Sequence, residues 1–482
     1  MGDVNFALLN SCKVFFFGIF FYSGYCFLFY TTTSGNFLTR SIMGSFFSVM
    51  VTSLMLSCAV APVLATTSSI RPDGTVLVDG VPFFPMGFYD IKNINDMKNV
   101  AASSFNCSWT RYQDVSNFGQ FLDSCGAHKF RVIVACNSED VVAEGLVTQY
   151  KNNPGVFSWD AEDDAEDPTY RNFDQVRTKS IALKTADPTH ARYISLTANS
   201  NQRRADVRKW VEISEMSGIQ MYPIGDVTWD RIVQTNALRV CAQRMCYYAD
   251  TARAAQRSII GNLQSHSWGS RAEANGRYPT AAEIRNMTYA GLIAGLKGIV
   301  YYTYNGITGV TDHWNELKLL APDVKRMAPA LMDGTWSRLT TGDADLFAAH
   351  WVYRDTLWVI AVNTSYSSSK TVSLTLPTGY TAAPVTVASR LASGLTLQNR
   401  VLSGTLAAQA TYASYIPKTV TTGMQGRAPG RLTDVQSAQN RQVNTLYDIR
   451  GRNVCNECEG SASPAGVYVD MSARKVVLNT NW

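Results

Sequence analysis

Val156-Phe-Ser-Trp-Asp-Ala-Glu-Asp-Asp-Ala-Glu-Asp167 joins a short apolar strand to six carboxylates within eight residues. Carboxylates crowded at the end of a buried strand repel one another and resist loss of water, which raises the pKa of some of them. That is the condition for a carboxylic acid able to give up a proton near neutral pH. An isolated acidic run of this kind also fits a surface loop or a cation site, so its meaning depends on the elements around it.

Working outward, short apolar runs alternate with amphipathic stretches. The expected strands are Phe83–Tyr89, Phe105–Arg111, Phe130–Cys136, Val156–Asp160, Arg192–Thr197, Ile219–Ile224, Ser258–Gln264 and Gly298–Tyr304. Helical spacing is expected between them, for example over Val115–Gly126, Ala205–Met216 and Ala281–Leu296. Continuous apolar strands suit a parallel sheet buried on both faces. Eight strands, each followed by a helix, over roughly 250 residues make an α/β (β/α)8 TIM barrel. Gly74–Pro82 is expected as a two-stranded ribbon before the barrel.

From Trp336 the period changes. Leu346–Tyr353, Thr356–Asn363 and Lys370–Pro377 read as strands of an all-β sandwich that ends near Pro417. The expected organisation is a leader over 1–66, a barrel over 67–334, a sandwich over 335–417, a polar linker over 418–440 and a small β unit over 441–482.

The leader holds two apolar runs, residues 14–31 and 43–65. The second follows Arg40 and exits through Ala-Pro-Val-Leu-Ala65, the order of a secretory signal. Leu56-Ser-Cys58 also resembles a lipoprotein cleavage box. The first run is read either as a membrane anchor or as an upstream extension of a gene that starts at Met43. Export follows in each case. Among the 10 cysteines, the spacing outlines no disulfide framework, and Cys455-Asn-Glu-Cys458 lacks a second pair or a nearby His. No metal or cofactor is expected. The net charge of +5 is small for 482 residues and its Lys and Arg are scattered, which argues against a nucleic-acid partner.

In a barrel of this kind, functional residues sit at the C-terminal ends of the strands. That rule singles out Tyr89, Trp109, Arg111, Trp159, Tyr222, Gln264, Trp268 and Tyr304 as substrate-binding candidates, with the acidic run beside them. Aromatic faces stack on the C–H faces of sugar rings, and amides and carboxylates bond the hydroxyls. A carbohydrate is therefore the expected partner.

Asp79-Gly-Val-Pro-Phe-Phe-Pro-Met-Gly-Phe-Tyr89 resembles the first barrel strand of many retaining barrel glycosidases. Trp159 with the acids after it resembles their strand-four Trp-x-x-x-Asp-Glu-Pro segment. Arg277-Tyr-Pro-Thr-x-x-Glu283 and the later Gly-x-Lys-Gly run into Tyr301-Tyr302 resemble their strand-seven-to-eight passage. The resemblance spans about residues 74–417 and implies a secreted glycoside hydrolase-like protein. It places Asp163 and Asp164 on the family's Asp-Glu pair, with Asp164 as general acid and Asp163 as its support. Because Asp replaces Glu, Glu162 and Glu166 stand as alternatives. Strand seven departs from the pattern: retaining enzymes carry a nucleophilic Glu there, about 5 Å from the acid, and Gln264 stands in its place. Three readings follow. Asp226 after strand six serves as the base of an inverting enzyme; a substrate acetamido group attacks; or the site binds glycan without turnover.

The C-terminal segment Tyr447-Asp-Ile-Arg-Gly-Arg, then Gly466-Val-Tyr, then Lys475-Val-Val-Leu resembles the sorting domain of proteins exported by the type IX system of Bacteroidetes. It implies a partnership with that secretion machinery and a secreted or cell-surface location.

Overall fold

The computed structural model describes residues 65–167, 172–198, 207–225, 233–271, 276–307 and 309–419. The expectations for the leader up to residue 64 and for 420–482 lie outside the described residues, as does Asp226.

Eight parallel strands close into a barrel in sequence order. They are β1 (Met86–Tyr89), β2 (Cys107–Arg111), β3 (Arg131–Ala135), β4 (Val156–Asp160), β5 (Ala191–Leu196), β6 (Met216–Met221), β7 (Ser258–Gln264) and β8 (Ile299–Tyr302). Each is followed by a helix: α1 (Ile94–Ala102), α2 (Phe118–Ala127), α3 (Leu146–Tyr150), α4 (Phe173–Ala186), α5 (Val207–Val211), α6 (Ala237–Ala254), α7 (Ala281–Ala294) and α8 (Thr311–Asp333). The TIM barrel expected from the alternation is the observed fold.

Residues facing into the barrel come from every strand, among them Tyr89, Trp109, Ile133, Phe157, Tyr193, Met216, Ile260 and Val300. They make a packed core rather than a pore. Val76 and Val78 join that cluster from the lead-in ribbon, whose two expected strands within Gly74–Pro82 pair with a third at Ser68–Ile70 and which closes the N-terminal end. Ser68 ties the ribbon down, donating to the Phe157 carbonyl at 2.6 Å and accepting from the Ala191 amide at 2.8 Å. Gly218 has a steric reason to be glycine. The Tyr193 hydroxyl occupies the space where a Cβ would stand.

Two expected elements are corrected. β6 starts three residues earlier than Ile219–Ile224 and ends at Met221, and α5 is far shorter than Ala205–Met216. The chain turns at Ile213–Glu215, where Ser214 donates to the Met216 carbonyl, and Met216 already pairs in the barrel.

The sandwich follows α8. One sheet holds β9 (Thr335–Leu339), β10 (Leu346–Tyr353), β11 (Thr356–Asn363), β13 (Val385–Thr386) and β16 (Thr411–Pro417), in the order β9-β10-β11-β16-β13. The other holds β12 (Lys370–Thr375), β14 (Thr396–Gln398) and β15 (Val401–Leu406), in the order β12-β15-β14. Between them lies a core of its own, including Leu357, Val372, Leu374, Leu402 and Ile416. The other face of the larger sheet packs on α7, which explains why Ile284 to Ala294 is buried nearly all round. Asn286 on α7 donates to the carbonyls of Asn363 and Gln409 at 2.8 and 3.3 Å.

Candidate active site

The C-terminal rim is organised by β4. Against β3 the pairing of β4 shifts between Val156 and Ser158, a bulge that reverses the alternation of side chains. Phe157 faces into the barrel, but Trp159 faces the helices and Asp160 faces in. Beyond Asp160 the chain continues alongside β5. The Ala161 amide donates to Tyr193 O and the Ala165 amide to Ser195 O, each at 2.8 Å. Asp164 has φ of 52°, the left-handed region, which a short polar side chain tolerates better than most.

Three carboxylates come together here. Asp160 accepts from the Trp109 indole at 2.9 Å and is buried. Burial, followed by the charge of Asp163, holds its pKa well above the usual carboxylate range. Gln220 on β6 directs one amide nitrogen at Asp164 Oδ1 (2.5 Å), Ser195 Oγ (3.0 Å) and Asp163 Oδ1 (3.4 Å). Asp163 Oδ2 faces Arg111 Nη2 at 3.4 Å. Burial and the neighbouring Asp164 raise Asp163 to about 7, against the opposing pull of Arg111. The Arg111 guanidinium also lies 4.7 Å over the Trp109 ring.

Aromatic side chains complete the rim. Tyr89 stacks on Trp109 with centroids 4.4 Å apart and shares a 3.1 Å hydrogen bond with Tyr193. Both lie buried beneath the carboxylates. Tyr222 and Tyr302, partly exposed, face each other at 5.5 Å, and His266 packs against both. Trp268 stands beside them with its indole donating to Tyr222 O at 3.1 Å.

Of the residues expected from sequence, Asp163, Asp164, Arg111, Trp109, Tyr89, Tyr222 and Trp268 lie at or under this rim. Five expectations are corrected. Trp159 is fully buried on the outer side of β4, where its indole donates to Asp187 at 2.7 Å, so it cannot stack on a ligand at the mouth. Tyr304 packs in the outer layer against Phe88 and Trp314. Glu162 also faces outward, paired with Lys179 on α4 at 2.7 Å; burial raises it to about 7 despite that ammonium. Gln264 is buried with both ends of its amide bonded to backbone, accepting from Ile224 N and donating to Ile224 O, each at 2.8 Å, and to His266 O. It fastens the loop after β6 to β7 and has no end turned to a substrate. Glu166, the other alternative, anchors the end of β5 through Ala198 N at 2.8 Å and Thr197 Oγ at 3.1 Å.

Tyr193, Ser195 and Gln220 were not singled out by the sequence. Period-two alternation along β5 and β6, counted from inward Ala191 and Met216, would have placed all three inside the barrel. Among the described residues, no group of three or more His, Cys, Asp or Glu is arranged to hold a metal ion.

No protein-family model matches this sequence, and no curated protein matches it. Solved structures do resemble the fold. A glycoside hydrolase family 5 protein from Bacteroides vulgatus superposes with a TM-score of 0.53 at 11% identity, over 73% of this chain and 93% of that one. A second structure, described as a glycoside hydrolase, gives a TM-score of 0.51 at 10% identity, over 73% and 97% of the two chains. The chain therefore has a glycoside hydrolase-like fold of barrel followed by sandwich.

Proposed function

We propose that the barrel mouth is the active site of a glycoside hydrolase and that the Asp163–Asp164 pair supplies its acid. The observation that supports this most strongly is the meeting of both carboxylates on the Gln220 amide, with Asp163 holding its proton to about pH 7. A carboxylic acid that stays protonated near neutrality can protonate a glycosidic oxygen as the C–O bond breaks. Asp163, expected from the sequence as the support of Asp164, takes the acid's role in this reading, because burial and the neighbouring Asp164 hold its proton to about 7. The faces of Tyr222 and Tyr302 take the sugar ring.

Attack by water needs a second carboxylate across the sugar. Among the described residues, the ends of β6, β7 and β8 beyond Met221, Gln264 and Tyr302 contain no Asp or Glu. Asp226 is the proposed base, and with a base separate from the acid pair the reaction inverts the anomeric centre. Reducing-end release from a panel of oligo- and polysaccharides tests the proposal. Asp163→Asn is expected to lower the rate at least about 100-fold, the usual scale for losing a general acid. An unchanged rate refutes the assignment.

One observation favours a second reading, in which the site binds glycan without turnover. Gln264 stands where retaining barrel enzymes carry their nucleophile, and its amide is locked to backbone. Calorimetric binding of a glycan with no release of reducing ends distinguishes this from hydrolysis.

Export through a leader ending near Ala65, with 441–482 addressing the type IX machinery, is also proposed. Cell fractionation of the full chain against a chain ending at residue 440 tests it. Equal amounts outside the cell count against the address.

A further inference from the structure

We infer that Gln220 is a positioning residue that keeps the negative charge of the acid pair on Asp164 and the proton on Asp163; the inference rests on the hydrolase reading above. The nitrogen of a primary amide carries two hydrogens. Gln220 Nε2 has three acceptors around it: Asp164 Oδ1 at 2.5 Å, Ser195 Oγ at 3.0 Å and Asp163 Oδ1 at 3.4 Å. The two shorter contacts take the two hydrogens, and Asp163 receives what is left. A hydrogen bond donated to a carboxylate favours its ionised form, the more so when it is short. The charge therefore settles on Asp164. From there, after burial itself, it is the largest influence holding the proton on Asp163.

The amide cannot turn round without cost, since the opposite setting would put its oxygen against a carboxylate. Ser195 fixes the setting from the other side. Its amide donates to Glu162 O at 2.9 Å and its carbonyl accepts from Ala165 N at 2.8 Å, so its backbone holds both ends of the Asp163–Asp164 step. Its hydroxyl accepts from Gln220 and also bonds Asp163. One residue of β5 thus carries the reference for carboxylates and amide alike. The charged and titratable groups around Asp163, besides Asp164, are Arg111 from β2, Asp160 and Glu162 from β4 and the turn after it, and Tyr89, Tyr193 and Tyr222 from β1, β5 and the end of β6. Burial keeps the three tyrosines neutral. Arg111 faces Asp163 at 3.4 Å and on its own would draw the charge there. The Gln220 amide tips the balance to Asp164.

The test is an NMR titration of the full chain, isotope-labelled at its Asp carboxyl carbons, with the two signals assigned through Asp163→Asn and Asp164→Asn. In the unmodified chain Asp164 is expected to lose its proton at lower pH than Asp163, which releases its own near 7. Gln220→Met keeps the reach of the side chain and removes the amide; Gln220→Asn keeps the amide and stops one methylene short. In either variant the separation between the two midpoints is expected to shrink by about one pH unit or more, because Asp164 has lost its donor while the surrounding charges are unchanged. Either variant decides the matter where the other does not fold. Asp163 titrating first in the unmodified chain, or a separation unchanged in the variants, overturns the inference, and a residue that merely fills space would leave the separation where it was. Reducing-end release is followed on the same samples. Titrations that move as expected, with no hydrolysis across the glycan panel, count against the hydrolase reading and leave the placement of the charge standing.

Discussion

Asp163 illustrates how one residue couples stability to chemistry. In the unfolded chain an Asp loses its proton near pH 3.9, whereas in the fold Asp163 keeps its proton to about 7. Between those values the folded state holds the extra proton, so this group's contribution makes stability fall as pH rises from about 4 to about 7 and stay level above. Asp163→Asn removes that penalty. Thermal melts should therefore show the variant gaining on the unmodified protein at pH 8 and losing that gain toward pH 4. Parallel melting profiles would count against the raised carboxyl. Gln264 makes the opposite case. Gln264→Glu restores the carboxylate that a retaining enzyme would use, but an ionised Glu cannot donate to Ile224 O and His266 O. Urea titration should show a loss of about 1–3 kcal/mol, with no gain in turnover. The acidic residues were legible as a candidate acid because they sit where a strand ends. Which of them face inward was not, since Asp160, Glu162 and Asp163 differ only in where the backbone turns them.

The strand β4 shows why an element can be read correctly and its side chains misplaced. Its bounds, like those of β7, were clear because an apolar run ended sharply. A single bulge then put Trp159 outside and Asp160 inside, and strict alternation carries no sign of that. Trp159→Phe keeps the ring and removes the indole N–H that reaches Asp187. It should cost about 1–2 kcal/mol of stability while leaving glycan affinity unchanged; a fall in affinity would return Trp159 to the site. β6 was misread for a different reason. Ser217, Gly218 and Gln220 interrupt its apolar run; Gly218 leaves room for the Tyr193 hydroxyl and Gln220 reaches Asp164 and Ser195. α7 is better marked: Thr280 and Glu283 form a capping box at its start. Thr280→Ala should lower stability by about 1 kcal/mol, measured by the same titration.

At the scale of the molecule, barrel and sandwich share buried surface. Trp351, Ile360, Val362 and Ala413 of the sandwich belong to the same apolar cluster as the barrel's outer layer. Arg390 reaches across to Glu316 and Asp323 on α8, at 3.3 and 2.6 Å. Unfolding followed by tryptophan fluorescence and by circular dichroism should therefore give one coincident transition for residues 65–419; two separated transitions would show that the halves fold independently. The sequence's change of period at Trp336 revealed two architectures but gave no sign of this shared core, which depends on α7 being apolar on both sides. The central claim is that the mouth of this barrel is chemically active through the Asp163–Asp164 pair. Its most direct test is reducing-end release over the glycan panel by the unmodified chain and by Asp163→Asn. Hydrolysis of at least one glycan, reduced about 100-fold or more in the variant, is the predicted result, and binding without any release of reducing ends would contradict it.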